Sequence, residues 1–391
     1  MAQAHQAHSL RVRTITAGAT LRDLSRLDAI EGAIDVLRRG RKRFNDAGYD
    51  VQTLRIALGP LIARLDVRER DLALPRLQEL DALVGDHGVI VSLGALLIDD
   101  AEDAALPSWT AELMRSTKHL SASVAIASMD QSVHHRALST TARIMIELST
   151  VVASGVANFR FAAAANIPAG TPFFPVAWHA GDKSLAIGME SASIVEQTFS
   201  EQPEDPETAL RRALDRALAP IERMASDLAL DTESHWHGID ASPAPALDRS
   251  IAAGIEALTN VPFGSSATLA ACATITAALK SLHVKTCGYS GLMLPVLEDP
   301  LLAQRAAQQR YGIRELLLYS SVCGTGLDVV PIPGDTPEDT LARLLRDVAA
   351  LSVRLRKPLS ARLLLVPGKQ AGDEVQFNNP LLTDAVVMKV E

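Results

Sequence analysis

Four short stretches of the sequence carry side chains able to do chemistry. In RTIT, Arg13–Thr16, strand alternation places Arg13 and Ile15 on one face and Thr14 and Thr16 on the other. The planar fork of Arg13 suits a substrate carboxylate, and a structural salt bridge would use it equally well. In TPFFPVAWHAGDKS, aromatic and proline residues lead into His179, with Asp182 three residues on. A histidine desolvated by an apolar wall and oriented by a carboxylate is a general acid–base pair; a chance neighbouring pair is the plain alternative. In HWHGIDASPAP, a strand would put His235 and His237 on one side with Asp240 just beyond. Two such imidazoles can reach one divalent ion, with Asp240 or His179 completing the site, or they can form an exposed polar face with Trp236 turned to the core. In SSVCGTGLDVVPIPGDTPEDT, Cys323 ends an apolar run read as a strand, and a glycine turn and Asp328 follow. That placement suits a nucleophile or acid at a sheet edge, and it also suits an inert buried thiol.

These residues need a scaffold, and the apolar spacing supplies one. Val12 and Ile15 lead into Leu21, Leu24, Leu27, Ile30, Ile34 and Leu37, a strand feeding an amphipathic helix. Gly48 is placed to end that helix in a left-handed conformation, after which Leu54, Ile56 and Leu58 resume period two. Further strand-like runs are Gly88–Leu93, Leu120–Ala127, Asn158–Ala165, Ser184–Met189, Trp236–Asp240, Ser360–Val366 and Asp384–Val390, with helical patterns between them. This alternation predicts an α/β body with a substantial parallel sheet. Thr336 and Pro337 predict a helix start, running to about Arg356. A second helix is expected from Pro206 to about Leu230, kinked or broken at Pro220. The QPEDPE stretch, Gln202–Glu207, is the most linker-like segment and divides the body into halves, about 11–201 and 208–391.

The chain of 391 residues carries 38 Lys and Arg against 46 Asp and Glu, a net charge of −8 that argues against nucleic acid or an anionic membrane surface as partner. A small-molecule substrate fits better, and a homo-oligomer stays open. No apolar run reaches the ~18 residues of a membrane span. The opening residues lack a signal-peptide core, and the three cysteines, Cys272, Cys287 and Cys323, make no disulfide framework. A cytoplasmic protein is expected, with residues 1–10 a disordered tail in which His5 and His8 are solvated. Neither a phosphate-loop motif nor a G-x-G-x-x-G turn occurs, so ATP and NAD are not expected. Gly324 and Gly326 could offer backbone N–H groups to an anion, or simply make a tight turn.

The blocks RTIT (Arg13–Thr16), AWHAGD (Ala177–Asp182), DASPAP (Asp240–Pro245), GYSGLMLP (Gly288–Pro295), CGTGLDVVPIPGDT (Cys323–Thr336) and VVMKV (Val386–Val390) occur in an order that resembles the bacterial and archaeal family known as domain of unknown function 711. The resemblance spans nearly the whole chain. It implies a fold like that of pyruvate formate-lyase and the anaerobic ribonucleotide reductases: a ten-stranded α/β barrel of two five-stranded halves, wrapped by helices, with a cysteine on an inner finger loop. The glycyl-radical loop of those enzymes, R-V-x-G-[FY], has no counterpart here, so radical chemistry is not expected. The chain departs from the family pattern at AIGMESASIV (Ala186–Val195), where most of a glycine-rich segment is lost, and near Cys272–Ile275. His235 and His237 lie outside the family pattern.

Together these features lead to an expected cytoplasmic enzyme acting on a small amino-acid-like or carboxylic-acid substrate by non-radical bond cleavage or rearrangement. In it His179, Asp182 and Cys323 are catalytic, while Arg13, Asp240, Ser290 and Asp328 bind substrate. Cys323 is expected to face the barrel interior near His179. The alternatives are a metal-dependent hydrolase built on His235, His237 and Asp240, with a divalent metal as cofactor, and a non-catalytic small-ligand-binding regulatory protein.

Overall fold

The α/β alternation read from the sequence becomes one large mixed sheet clothed by helices in the computed structural model, which describes residues 10–130 and 132–391. His5, His8 and most of the expected tail lie outside the described residues; Leu10 is already packed in the core. Ten strands form the sheet: β1 (Arg11–Ala19), β2 (Val51–Leu58), β3 (Val89–Ala95), β4 (Leu120–Ser128), β5 (Ser132–Val133), β6 (Phe161–Ala165), β7 (Ser184–Glu190), β8 (His235–Asp240), β9 (Gly326–Pro333) and β10 (Leu359–Val366). Their order is β8-β7-β1-β2-β3-β4-β6-β10-β9, with β5 paired to β4 off this path.

β1, β2, β3, β4 and β6 run parallel. The direction reverses on both flanks, where β7 pairs antiparallel with β1 and β10 antiparallel with β6. The β7–β8 and β10–β9 pairs are parallel again. No ladder joins the outer strands β8 and β9 to each other among the described residues, so a closed barrel is not seen. The segment between them touches both: Thr286 bridges to Ile239, and Pro295 to Asp328.

Eleven α-helices are described: α1 (Asp28–Asp46), α2 (Val67–Gly85), α3 (Leu106–Ser116), α4 (His135–Ser149), α5 (Ala192–Ser200), α6 (Pro206–Asp231), α7 (Ile251–Thr259), α8 (Thr268–Lys280), α9 (Pro300–Ala307), α10 (Ile313–Ser320) and α11 (Glu338–Leu355). α1 buries Ile30, Ile34 and Leu37 along one stripe, and Gly48 beyond its end has φ +87°. α6 passes through Pro220 without breaking, so the expected break does not occur. α11 starts one residue later than read, because Thr336 turns its hydroxyl back onto the Pro333 carbonyl and leaves the helix uncapped by a side chain.

The largest correction concerns the apolar run before Cys323, which is helix α10 and not a strand. Glu315 accepts the Gly312 N–H and closes the first turn, and Leu316 and Tyr319 face the core at helical spacing. The strand is β9, after the glycines. At the other end of the sequence, Asp384–Val390 supplies only a two-residue strand, Ala385–Val386, paired with Glu374–Val375.

Alternation along β6 shows how the sheet separates two apolar regions. Phe161, Ala163 and Ala165 join the main core under the helices. Ala162 and Ala164 point the other way and pack with Phe173, Val176, Ala244, Tyr289 and Met293. That inner face carries the site.

Candidate functional site

A cavity of about 590 Å³ opens on the inner face of the sheet, lined by side chains of β1, β2, β9 and β10 and by the loops carrying Phe173–Val176 and Tyr289–Glu298. Three arginines reach it from three strands of the sheet. Arg13 comes from β1, Arg55 from β2 and Arg362 from β10, each only 8% exposed. Two of them are neutralised in place. Glu298 accepts from Arg13 at 2.6 Å and from Arg362 at 2.9 Å, and Arg362 Nε donates to Asp328 at 2.8 Å.

Irregular backbone aims these groups. In the β1–β7 ladder Val12 pairs with Met189 and Thr14 with Gly188, so Arg13 is the extra residue of a bulge. The bulge turns Arg13 to the cavity while Ile15 stays in the main core, which overrides the shared face expected from simple alternation. The β10–β9 ladder skips from Ala361–Leu327 to Leu363–Val330, leaving Arg362, Asp328 and Val329 at a second irregularity. Val329 there has φ +43°, a conformation in which a β-branched side chain is strained.

Arg55 is the exception among the three. Its Nε donates to the Thr53 hydroxyl at 3.1 Å and its guanidinium lies 4.9 Å from the centre of the Phe174 ring, but among the described residues no carboxylate comes within 4 Å. Its two terminal nitrogens make no hydrogen bond among the described residues and are not sealed off, so they face the cavity. Burial, with the neighbouring Arg13 charge, pushes its pKa down to about 9, which still leaves it cationic at neutral pH.

The carboxylates divide according to their partners. Burial works to raise Glu298, but the guanidiniums of Arg362 and Arg13 outweigh it and hold the group below the usual range. Asp328 touches Arg362 alone and feels the charge of Glu298, so burial prevails and its pKa is raised. One Asp328 oxygen is tied to Arg362; the other has no partner among the described residues and opens to the cavity. Tyr289 donates to Ser360 at 2.8 Å, and Ser360 to the Thr325 carbonyl at 3.2 Å. Burial raises the Tyr289 phenol far above its ordinary value, so it remains a donor.

His179 and Asp182 are not brought to this cavity. The aromatic wall preceding them does line it through Phe173 and Phe174, but the chain then turns away and His179 is buried at the end of β2. There its Nε2 meets the Gly181 carbonyl at 3.0 Å and its Nδ1 the Ser184 hydroxyl at 2.9 Å. These groups hold the ring, while Asp182, whose side chain is exposed, acts on it through its backbone and its charge, both of which oppose the effect of burial. Gly18 makes room for it, since a Cβ there would stand 2.1 Å from the ring.

Cys323 also lies apart, 1% exposed within the main apolar core and not beside His179. Gly324 does not serve an anion: its N–H binds the Leu292 carbonyl, and a Cβ on it would stand 2.3 Å from the Gly291 Cα. Cys323→Ser is therefore expected to cost about 1–3 kcal/mol of stability in chemical denaturation, by burying a hydroxyl in apolar surroundings, with ligand binding unchanged. Lost binding at undiminished stability would contradict this placement.

Asp240 and Ser290, expected to bind substrate, do not line the cavity but are buried behind its wall. Asp240 accepts from the backbone N–H of Ser242, Tyr289 and Ser290 and from the Ser242 hydroxyl, so it fixes the turn that presents Tyr289. Committed to those four donors, it is not available to a metal at His235 and His237. Among the described residues no group of three or more His, Cys, Asp or Glu could hold a metal ion.

His235 and His237 instead pack edge to face with centroids 4.8 Å apart, because His237 is the extra residue of a bulge between β7 and β8. Burial, aided by the charge of His235, lowers the His237 pKa to about 4. Burial lowers His179 as well. Between its ordinary value of 6.5 and about 4, the unfolded chain holds a proton on His237 that the folded protein does not, so stability falls as pH falls through that window. Allowing for partial exposure, the contribution is about 1–2 kcal/mol, and His237→Gln should flatten the acid limb of a thermal-melting profile by that amount. An acid limb identical in the variant would contradict the assignment.

Sequence reasoning found Arg13 and Asp328 and missed Arg55, Arg362 and Glu298. The signal available was an arginine inside an apolar strand, as in VQTLRIAL and LSARLLLV, where an unpaired charge has no structural reason to be.

Among curated proteins, the chain is similar to a UPF0210 protein of Pyrobaculum aerophilum, 31% identical over 83% of this chain and 76% of that protein. A UPF0210 protein of Desulforudis audaxviator is 27% identical, with 98% and 92% of the two chains covered. One of Methanocaldococcus jannaschii is 26% identical, with 98% and 91% covered. The family model described as Uncharacterised ACR (DUF711) matches residues 3–378. With a match over nearly its whole length, the chain belongs to the DUF711 family.

Proposed function

We propose that the inner cavity is the active site of a cytoplasmic enzyme that acts on a small carboxylic or amino acid by non-radical bond cleavage or rearrangement. The observation that carries the reading is Arg55: a buried guanidinium that no carboxylate touches among the described residues, the charge of Glu298 reaching it only from beyond contact distance, with its free donors directed into the cavity. A carboxylate would supply the missing charge and match the fork of the guanidinium. The apolar walls, Phe173, Phe174 and Met293, would hold the body of the substrate.

Asp328 is the group suited to move a proton. Its pKa is raised, one oxygen is anchored and the other is open, as general acid–base work requires. Tyr289 would donate to a substrate oxygen after exchanging its bond to Ser360. Arg13, Glu298 and Arg362 form the fixed frame around them. On this reading the segment from Thr286 to Pro295 acts as the inner loop of a barrel like that of pyruvate formate-lyase, spanning the gap between β8 and β9, with both halves of the chain in one body.

The test is incubation of the purified protein with a small-metabolite extract, read by mass spectrometry, alongside an Asp328→Asn variant. Selective consumption of an acid by the wild type, reduced at least a hundredfold in the variant while that acid still stabilises both proteins thermally, is the expected result. Stabilisation without consumption by either protein would mark a ligand-binding protein, and equal consumption by both would remove Asp328 from the mechanism.

A further inference from the structure

The charge lining the cavity exceeds what one carboxylate needs. Six Lys and Arg side chains line it against two carboxylates. Arg13 and Arg362 are matched by Glu298 and Asp328, and Arg115 is paired with Glu112 at 2.5 Å. Arg55, Arg160 and Lys118 are left, none with a carboxylate within 4 Å among the described residues.

Arg160 touches no carboxylate among the described residues: the charge of Asp81 reaches it from beyond contact distance, and that carboxylate is already engaged by the backbone N–H groups of Lys118 and His119. Arg160 donates to the carbonyls of Leu120, at 3.0 Å, and Met114, and to the Thr117 hydroxyl at 3.3 Å, all uncharged acceptors. Lys118 stands exposed on the same rim and makes no side-chain bond. Register places this pair relative to Arg55. Leu120 is level with Val91, and Val91 with Ile56, so the carbonyl that Arg160 binds lies two strands from the residue next to Arg55. Two strand spacings are about 10 Å. Burial lowers Arg160 to about 10, so it too is cationic at neutral pH.

Building on the carboxylate site proposed for Arg55, we infer that the ligand carries a second anionic group, held at Arg160 and Lys118 and separated from the first by an apolar spacer. Both positions lie in one cavity whose lining includes the apolar side chains of Phe174, Val176 and Met293. The second group is a carboxylate or a phosphate, since a guanidinium and an ammonium accept either. A spacing of roughly 6–10 Å between the two anions follows from the strand geometry and the reach of the arginine side chains.

Calorimetric titration with octanoate, suberate and 6-phosphonohexanoate tests this, because octanoate and suberate share a chain length and differ in the second charge. Suberate is expected to bind the full-length protein at least tenfold more tightly than octanoate. In Arg160→Gln that preference should fall to within twofold, and in Lys118→Gln by several-fold, with octanoate affinity unchanged in both. Lys118→Gln alters only an exposed side chain, so it keeps the test valid if Arg160→Gln is poorly folded. A larger gain for 6-phosphonohexanoate than for suberate assigns phosphate as the second group. Octanoate binding with no gain for either dianion overturns the inference and leaves the Arg55 site standing. Failure of all three to bind removes the Arg55 site and the inference together.

Discussion

Replacing Arg55 with Met is expected to stabilise the ligand-free protein by about 1–3 kcal/mol and to abolish carboxylate binding, a combination that few substitutions produce. The guanidinium is buried with no carboxylate touching it among the described residues and lies beside Arg13 on the neighbouring strand; both circumstances penalise its charged form, and the more distant charge of Glu298 offsets them only in part. Methionine keeps much of the side-chain volume and its contact with Phe174 while removing the charge. A group that stabilised the fold would behave in the opposite way. Urea denaturation of both proteins, with and without saturating octanoate, provides the readout. Wild type should gain stability from the ligand and the variant should gain none, because only binding to the folded state raises stability. A less stable variant that still responds to octanoate would place the carboxylate elsewhere.

Glu298→Gln is expected to cost about 3–5 kcal/mol, the largest loss of any single substitution considered in the cavity. Glu298 joins two arginines of the cavity, at 2.6 Å and 2.9 Å, and its removal leaves Arg13 with only Glu190, at 3.7 Å, and Arg362 with only Asp328. Glutamine preserves the shape and one acceptor, so the loss reports charge and not packing. The effect should shrink when Arg13 is also replaced by Met, because the double variant removes a charge of each sign. Denaturant midpoints for the two single variants and the double variant supply the cycle. Strict additivity would mean that the two residues act independently and that the buried network is not a unit.

How far the sequence discloses this architecture depends on the kind of feature. Strands β3, β4, β7 and β10 follow from apolar runs bounded by turns, since burial on both faces leaves a continuous apolar signature. The run LLLYSSV before Cys323 shows the limit of that signature: three consecutive leucines fit a buried strand and a short helix equally, and only the Glu315 bond to Gly312 decides for the helix. The site is legible in part. Arg13 and Asp328 stand out in their motifs, but their aim depends on bulges at Val12–Thr14 and Leu327–Val330, which arise from pairing between distant strands. His179 misleads for the same reason. Its local neighbours suggest an acid–base pair, whereas the long-range bond from its own N–H to the Leu58 carbonyl draws it out of the cavity. Arg55 and Glu298 lie in no motif at all; what joins them is the cavity.

A crystal structure of the protein with bound octanoate tests the cavity most directly. The account predicts the carboxylate within about 3 Å of both terminal nitrogens of Arg55, with the alkyl chain against Phe173, Phe174 and Met293. Octanoate bound outside the cavity, with only solvent facing Arg55, would contradict it.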